Sequence, residues 1–397
     1  MTNPASQAMG GQSRQTGWLR AATAAMALGT CAVILLLRRV PPAPVFSPAL
    51  GRATYWQSYE TSYFASLRSY EEQVGRILAE GNTPVVVFGD STFRGTSAAG
   101  QDVWTRILER WLRESDPRIR VVNYAQNAGD LMGPFLYHHL RRIYPQAYYV
   151  MQWHFSSEVG VRHPFHFWLT SEIALRDGDT NPAVRISYPI SPVKTEAERS
   201  AFALAATNIA SNYLDVGNWV RYLWLGQVYC DSDRMVKLRP LREVADTEVP
   251  ILRFIPPDEK TEAYLANLFS AHVEAQERYV KRPFADLAAY FATIYPAEVR
   301  SHLILVTLDY NPHFAPWSDP EKIRVWRANW EKIRSEMPRM ADLQWISLTG
   351  ADGGLSPDDF SDLGHLTVRG QAKLASAVTD NLTAAGGWFP HAHPENR

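Results

Sequence analysis

Apolar and polar positions alternate between two periods along this chain, and that alternation is the first clue to its architecture. "SLRSYEEQVGRILAEG" spaces its apolar residues as a helix does, and "PVVVFG" follows as a short branched run with the length of a buried strand. The succession repeats with a helix in "DVWTRILERWLRE", a strand in "IRVVN", a helix in "LMGPFLYHHLRRIYP" and a strand in "AYYVMQW". Strands that alternate with helices predict a parallel sheet covered on both faces. The alternation then breaks. From about 155 to 300 the sequence is aromatic, largely helical in period and interrupted by "SYPISPV" and "FIPPDEK", with no clear strand, so it reads as a large, mostly helical insertion. Beyond it come a strand in "HLILVTLDY", a helix in "DPEKIRVWRANWEKIRSEM", a strand in "LQWISLT" and a final helix in "TVRGQAKLASAVTDNL". The expected fold class is α/β with a parallel sheet. No internal repeat is visible.

The N-terminus follows a different rule. "AATAAMALGTCAVILLL", Ala21 to Leu37, carries no charge and approaches the roughly 20 apolar residues that span a bilayer, so one transmembrane helix is expected. A cleavable signal peptide fits less well, because Arg38-Arg39 and "VPPAPVFSPAL" follow without a small-x-small cleavage pattern. A lipoprotein site at Cys31 is disfavoured by Thr30 and by the membrane-like "AVILLL" after it. Flanking charge leaves the orientation open, since Arg14 and Arg20 face Arg38, Arg39 and Arg52. The expected organisation is a tail over 1–20, the transmembrane helix over 21–39 and a Pro-rich linker over 40–55. A domain over 56–385 carries the insertion, and a tail follows over 386–397.

Composition changes this picture little. With 46% hydrophobic residues in 397, the chain can bury a large core, and 40 basic against 41 acidic side chains give no sign of a nucleic-acid partner. The two cysteines, Cys31 in the apolar stretch and Cys230 in the body, are not expected to pair.

Candidate chemistry sits where the first strand stops. In an open parallel sheet ligands bind beyond the carboxyl ends of strands, which is where Gly89-Asp90-Ser91 falls. A serine hydroxyl needs a base to take its proton, and the base needs a third group to fix its tautomer. "DFSDLGHLTVRGQAKLA" supplies both: Asp362 and His365 stand three residues apart, between the last strand and the last helix. The alternative nucleophile elbow Gly-x-Ser-x-Gly is absent, and "GTSAA" around Ser97 misses its second glycine.

Gly89-Asp90-Ser91 after the first strand, "NYAQNAGD" after the second and Asp362-x-x-His365 before the last helix together resemble the SGNH/GDSL hydrolase superfamily of flavodoxin-like esterases, over about 84–154 and 301–384. The resemblance implies a three-layer sandwich, with Ser91 as nucleophile, His365 as base and Asp362 as orienting acid. It also implies an oxyanion hole from the Ser91 N–H and the Gly129 N–H, or Ala128 if the glycine is displaced by one. The chain departs from the family at its third block, where Gly-x-Asn-Asp is replaced by "MQWHFSSE"; either His154, Ser156 or Gln152 stands in for the asparagine donor, or these residues pack under the insertion. A membrane anchor, this triad and a large insertion also resemble extracytoplasmic proteins of cell-envelope polymer acylation. That likeness implies a carbohydrate or acyl-ester substrate, a catalytic domain outside the cytoplasm and a membrane-bound acyltransferase as partner. Two functional classes follow: an ester hydrolase or O-acyltransferase, and a catalytically weak member of the fold that binds an envelope glycan or a membrane partner.

Other residues are set aside. His163-x-x-His166 with His154 lacks a carboxylate or cysteine at ligand spacing, so no metal is expected. His138-His139 reads as a pair on a helix surface, and the aromatics of the insertion read as core. No phosphate-cradling loop or dinucleotide fingerprint occurs, and no cofactor is expected.

Overall fold

The computed structural model describes residues 20–33, 66–95, 98, 102–125, 132–153, 164–186, 227–232, 235–240, 294–308, 311, 320–336, 343–348, 354–362, 364–384 and 387–389, with scattered helical positions between 259 and 292. In chain order the body opens with α1 (Leu67–Ala79), β1 (Thr83–Phe88), the single-turn α2 (Ser91–Arg94), α3 (Trp104–Ser115) and β2 (Ile119–Asn123). It continues with α4 (Met132–Ile143), β3 (Tyr148–Gln152), α5 (Pro164–Asp177), α6 (Pro182–Ile186), β4 (Gln227–Ser232) and β5 (Met235–Pro240). The last part holds α7 (Ala297–Arg300), β6 (Leu303–Leu308), α8 (Pro320–Glu336), β7 (Gln344–Leu348) and α9 (Val368–Thr383).

Five strands form one sheet in the order β2-β1-β3-β6-β7, every neighbour parallel. The strand period of two divides the side chains between two helical layers. Val86, Phe88, Tyr149 and Met151 face α1, α4 and α5, whereas Val85, Val87, Val150 and Ile304 face α3 and α9. Val85, Val86 and Val87 are each 0% exposed, which is why β1 reads as an unbroken apolar run rather than an alternating one. Burial stabilises each such side chain by about 1.5–3 kcal/mol. The fold is therefore α/β with a parallel sheet, as the periodicity predicts.

Strand order also locates the crevice. β1 has β2 on one side and β3 on the other, so the chain reverses its winding direction between them. The helices that follow β1 and β3 lie on opposite faces, and a cleft opens between the carboxyl ends of the two strands. Gly89-Asp90-Ser91 and Gln152 lie there.

Residues 153–302 separate β3 from β6, although these two strands are neighbours in the sheet. The beginning and end of that stretch are part of the core: Leu169, Ile173 and Ala174 of α5, with Ile294 and Tyr295, pack into the layer that covers α4. The stretch also contains strands where the periodicity predicts none, since β4 and β5 pair as an antiparallel hairpin. Their trace in the sequence is one short alternation, Val236 and Leu238 with Lys237 and Arg239 in β5, which the helical period of the surrounding stretch obscures.

Residues 20–33 are helical and every one of them is exposed. Among the described residues no helix is long and apolar enough to cross a membrane, and positions 34–39 of the expected span lie outside the described residues. The linker over 40–55 and the start of the domain at 56–65 lie outside them as well.

Candidate active site

The turn that carries Ser91 is built by three local devices. Gly89 is required because a Cβ there would stand 2.6 Å from both Gln152 Oε1 and Phe93 Cβ, closer than any side chain tolerates. Asp90 caps α2, its carboxylate accepting the Thr92 N–H at 2.7 Å. Gly95 then ends the turn in the left-handed region at φ 87°, open to glycine without strain. Phe93 anchors the underside: it is 0% exposed, meets Trp104 edge-on at 5.0 Å and receives the Trp104 indole N–H on its carbonyl at 2.6 Å. Asn123, at the end of β2, donates to the same carbonyl at 3.0 Å. Ser91 is thereby presented from a rigid base at the mouth of the cleft.

The second half of the site lies between Pro357 and Thr367. Asp359, 0% exposed, accepts the Ser356 N–H and the Lys373 ammonium on Oδ2, each at 2.6 Å. A bridge between Phe360 and Leu366 and the Ser361 N–H to His365 carbonyl bond at 2.8 Å close the loop. Within it Asp362 Oδ1 accepts the backbone N–H groups of Gly364 at 3.0 Å and His365 at 2.8 Å, which holds the carboxylate in one orientation. Asp362 Oδ2 then accepts from His365 Nδ1 at 2.6 Å, and His365 Nε2 lies 2.7 Å from Ser91 Oγ.

Because a carboxylate can only accept, Nδ1 carries the hydrogen, and Nε2 is left to accept the serine proton. Electrostatics reinforce that polarity. Burial opposes charge on Asp362, yet the adjacent His365 and the hydrogen bonds it accepts hold it below the ordinary carboxylate value. Burial likewise opposes charge on His365, but Asp362 and then Asp90 raise its pKa above the ordinary 6.5, against the opposing Arg94. Such a raised histidine is a stronger proton acceptor from the serine.

Two bonds across the cleft fix the halves to each other. Thr92 Oγ1 donates to the Gly364 carbonyl at 3.1 Å, and Asn311 Nδ2, beyond the end of β6, donates to the Asp362 carbonyl at 3.0 Å. Neither Thr92 nor Asn311, nor Asp359 or Asn123, stands out in the sequence. Their partners are backbone groups or lie far along the chain, and no motif spacing encodes such contacts.

Ser91, His365 and Asp362, predicted as a triad, are brought together. Gly129, Ala128, His154, Ser156, Ser97 and His163 lie outside the described residues, as does the His166 side chain. Among the described residues no group of three or more histidine, cysteine or acidic side chains is arranged to hold a metal ion.

The expectation that His138 and His139 form a surface pair is corrected: they are 7% and 1% exposed. α4 is covered by α1 on one flank and by α5 of the insertion on the other, and the helical period alone does not reveal the second cover. His139 is clamped between carboxylates, with Nδ1 2.8 Å from Asp177 Oδ1 and Nε2 2.7 Å from Glu71 Oε1. Arg142 reaches Asp177 at 2.6 Å, and Arg176 reaches Glu71 at 3.1 Å and Glu172 at 2.6 Å. With both ring nitrogens on acceptors, His139 is an imidazolium, and three cations face three carboxylates. This cluster ties α1, α4 and α5 together on the layer away from α9.

No protein-family model matches the chain, and no curated protein matches it significantly.

Proposed function

We propose that this chain is a serine-dependent ester hydrolase or O-acyltransferase of the SGNH/GDSL type, with Ser91 as nucleophile, His365 as base and Asp362 as orienting acid. The observation that carries this reading is the continuous chain from Ser91 Oγ through the His365 ring to Asp362, at 2.7 Å and 2.6 Å, in the cleft where the winding reverses. In the reaction Ser91 Oγ attacks the ester carbonyl carbon, His365 Nε2 takes the serine proton and the carbonyl π pair moves to oxygen. Collapse of the tetrahedral species restores the carbonyl and expels the alcohol, which leaves with the proton from His365. Water or a sugar hydroxyl then repeats the sequence on the acyl-serine, giving hydrolysis or transfer.

A fluorophosphonate probe tests this directly. The full-length chain should be labelled at Ser91, as read by peptide mass spectrometry, and Ser91→Ala should not be labelled. An unlabelled wild-type chain would favour the binding-only reading, whose support is the missing asparagine of the third block.

The raised His365 sets a pH dependence. His365 must be neutral to act as base, so the acid limb of kcat/KM should lie above pH 6.5, activity falling as pH drops through the folded value. Asp362→Asn removes the dominant raising influence and should move that limb to lower pH. A limb unmoved by Asp362→Asn in a pH–rate series would assign it to another group.

We further propose that residues 21–39 anchor the domain as an N-terminal transmembrane helix, that the domain lies outside the cytoplasm, and that the ester is one of a carbohydrate or envelope polymer. In support, the helix over 20–33 exposes Met26 and Leu28 by 68% and 72%, an apolar surface that suits lipid. The full-length chain should stay with membranes through an alkaline carbonate wash, and removal of residues 1–40 should release it. A C-terminal reporter protected in intact cells would reverse the topology.

A further inference from the structure

Gln152 ends β3 beside the serine turn and is 5% exposed. Its Oε1 accepts the Asp90 N–H at 2.8 Å. A backbone N–H can only donate, so this contact decides which arm of the amide is oxygen and which is nitrogen. Nε2 therefore occupies the other arm, and it makes no hydrogen bond among the described residues. The amide rests against Gly89, where a Cβ would stand 2.6 Å from Oε1, and the N–H it accepts belongs to Asp90, the residue before Ser91. A nearly buried amide, locked by its oxygen and with both nitrogen hydrogens unused at the mouth of a cleft, is built to receive an acceptor oxygen.

We propose that Gln152 Nε2 donates to the ester carbonyl oxygen of the substrate as Ser91 adds to the carbonyl carbon and the π pair moves onto that oxygen. The inference rests on the serine-nucleophile reading above and adds to it the residue that replaces the absent asparagine. Gln152 does so from the last position of β3, ahead of the loop in which an asparagine donor would stand. The locked Oε1 makes the donor preorganised, because its position is set by Asp90, the neighbour of the nucleophile. The oxyanion and the attacking serine are thereby referenced to one turn of backbone.

Gln152→Glu separates the two ends of the side chain, since it keeps an acceptor for the Asp90 N–H and removes the donor. In the full-length chain it should lower kcat/KM for a short activated ester by about 10²–10³, mostly in kcat, with an unchanged unfolding midpoint. The Ki of a short trifluoromethyl ketone, which forms a hemiketal oxyanion on Ser91, should rise by the same factor. Gln152→Met, which lacks both acceptor and donor, should show the same rise in Ki and also a lower unfolding midpoint. If Gln152→Glu folds poorly, the Ki comparison on Gln152→Met decides. A Gln152→Glu chain within threefold of wild type overturns the inference, and so does a fall in kcat/KM without a matching rise in Ki, which would make Gln152 a positioning residue only. A wild-type chain no more active than Ser91→Ala overturns this inference together with the serine-nucleophile reading. An active wild type with an unaffected Gln152→Glu overturns this inference alone.

Discussion

Ser91→Ala and His365→Ala should each remove turnover of a short activated ester by a factor on the order of 10⁴ or more, because members of a hydrogen-bonded catalytic unit fail together. Ser91 Oγ is 2.7 Å from His365 Nε2, and without either atom no proton transfer accompanies attack. The double variant should be no worse than the single ones. Asp362→Asn should cost as much or less, since it leaves nucleophile and base in place but no longer fixes the tautomer at Nδ1. Unfolding midpoints should change little for Ser91→Ala, because Ser91 is half-buried and the turn is held by Gly89, Asp90 and Phe93. The decisive measurement is initial rate against purified variants of matched circular dichroism. If Ser91→Ala kept half of the wild-type rate, the nucleophile would be elsewhere, and Ser97 would be tested next.

The largest effect on stability is expected far from the cleft, at His139. Replacing it by leucine leaves Asp177, 6% exposed, and Glu71 without the cation between them, and breaking a buried ion pair typically costs about 3–5 kcal/mol. Denaturant titration should show a lowered midpoint with an unchanged slope. The pH profile gives a second reading. Burial opposes the His139 charge, but its bonds to Asp177 and Glu71 raise its pKa above 6.5. Its contribution is therefore complete below pH 6.5 and is lost as pH rises through the raised folded value. Burial lowers the adjacent His138 to about 4, so His138 takes stability away as pH falls below 6.5. Burial opposes ionisation of Asp177 too, but His139 holds its pKa below 3.8, and its contribution is lost only as pH falls through that lowered value. His139→Leu should therefore flatten the alkaline decline and leave the acid decline due to His138. A variant with a wild-type midpoint and an intact alkaline decline would show that His139 is neutral and dispensable.

The two neighbouring histidines show where sequence reading stops. As "YHHL" on a helical period they look alike, and a surface position accounts for both. Their opposite titration comes from surroundings the local sequence does not specify: Glu71 and Asp177 bind one ring, whereas burial dominates at the other.

What the sequence determines by itself is the alternation of strand and helix, the stop of β1 at Gly89-Asp90-Ser91 and the Asp362-x-x-His365 pair, because these depend on local period, local sterics and short spacing. Burial on both faces of β1 writes its signature into three consecutive valines, Val85 to Val87, and a glycine forced by close approach is visible as the break soon after them. The tertiary structure alone decided that β1 lies between β2 and β3, which makes the end of β1 a cleft. It alone brought His365 across 274 positions to Ser91. It also turned Gln152 from one of three stand-ins for a missing asparagine into an amide anchored on the serine turn, and it placed the start and end of the insertion in the core. Hydrogen bonds between residues distant in the chain leave no periodic trace, because each is satisfied by a single atom whose partner is chosen by packing. Periodicity reports which face of an element is covered; only the assembled layers show by what.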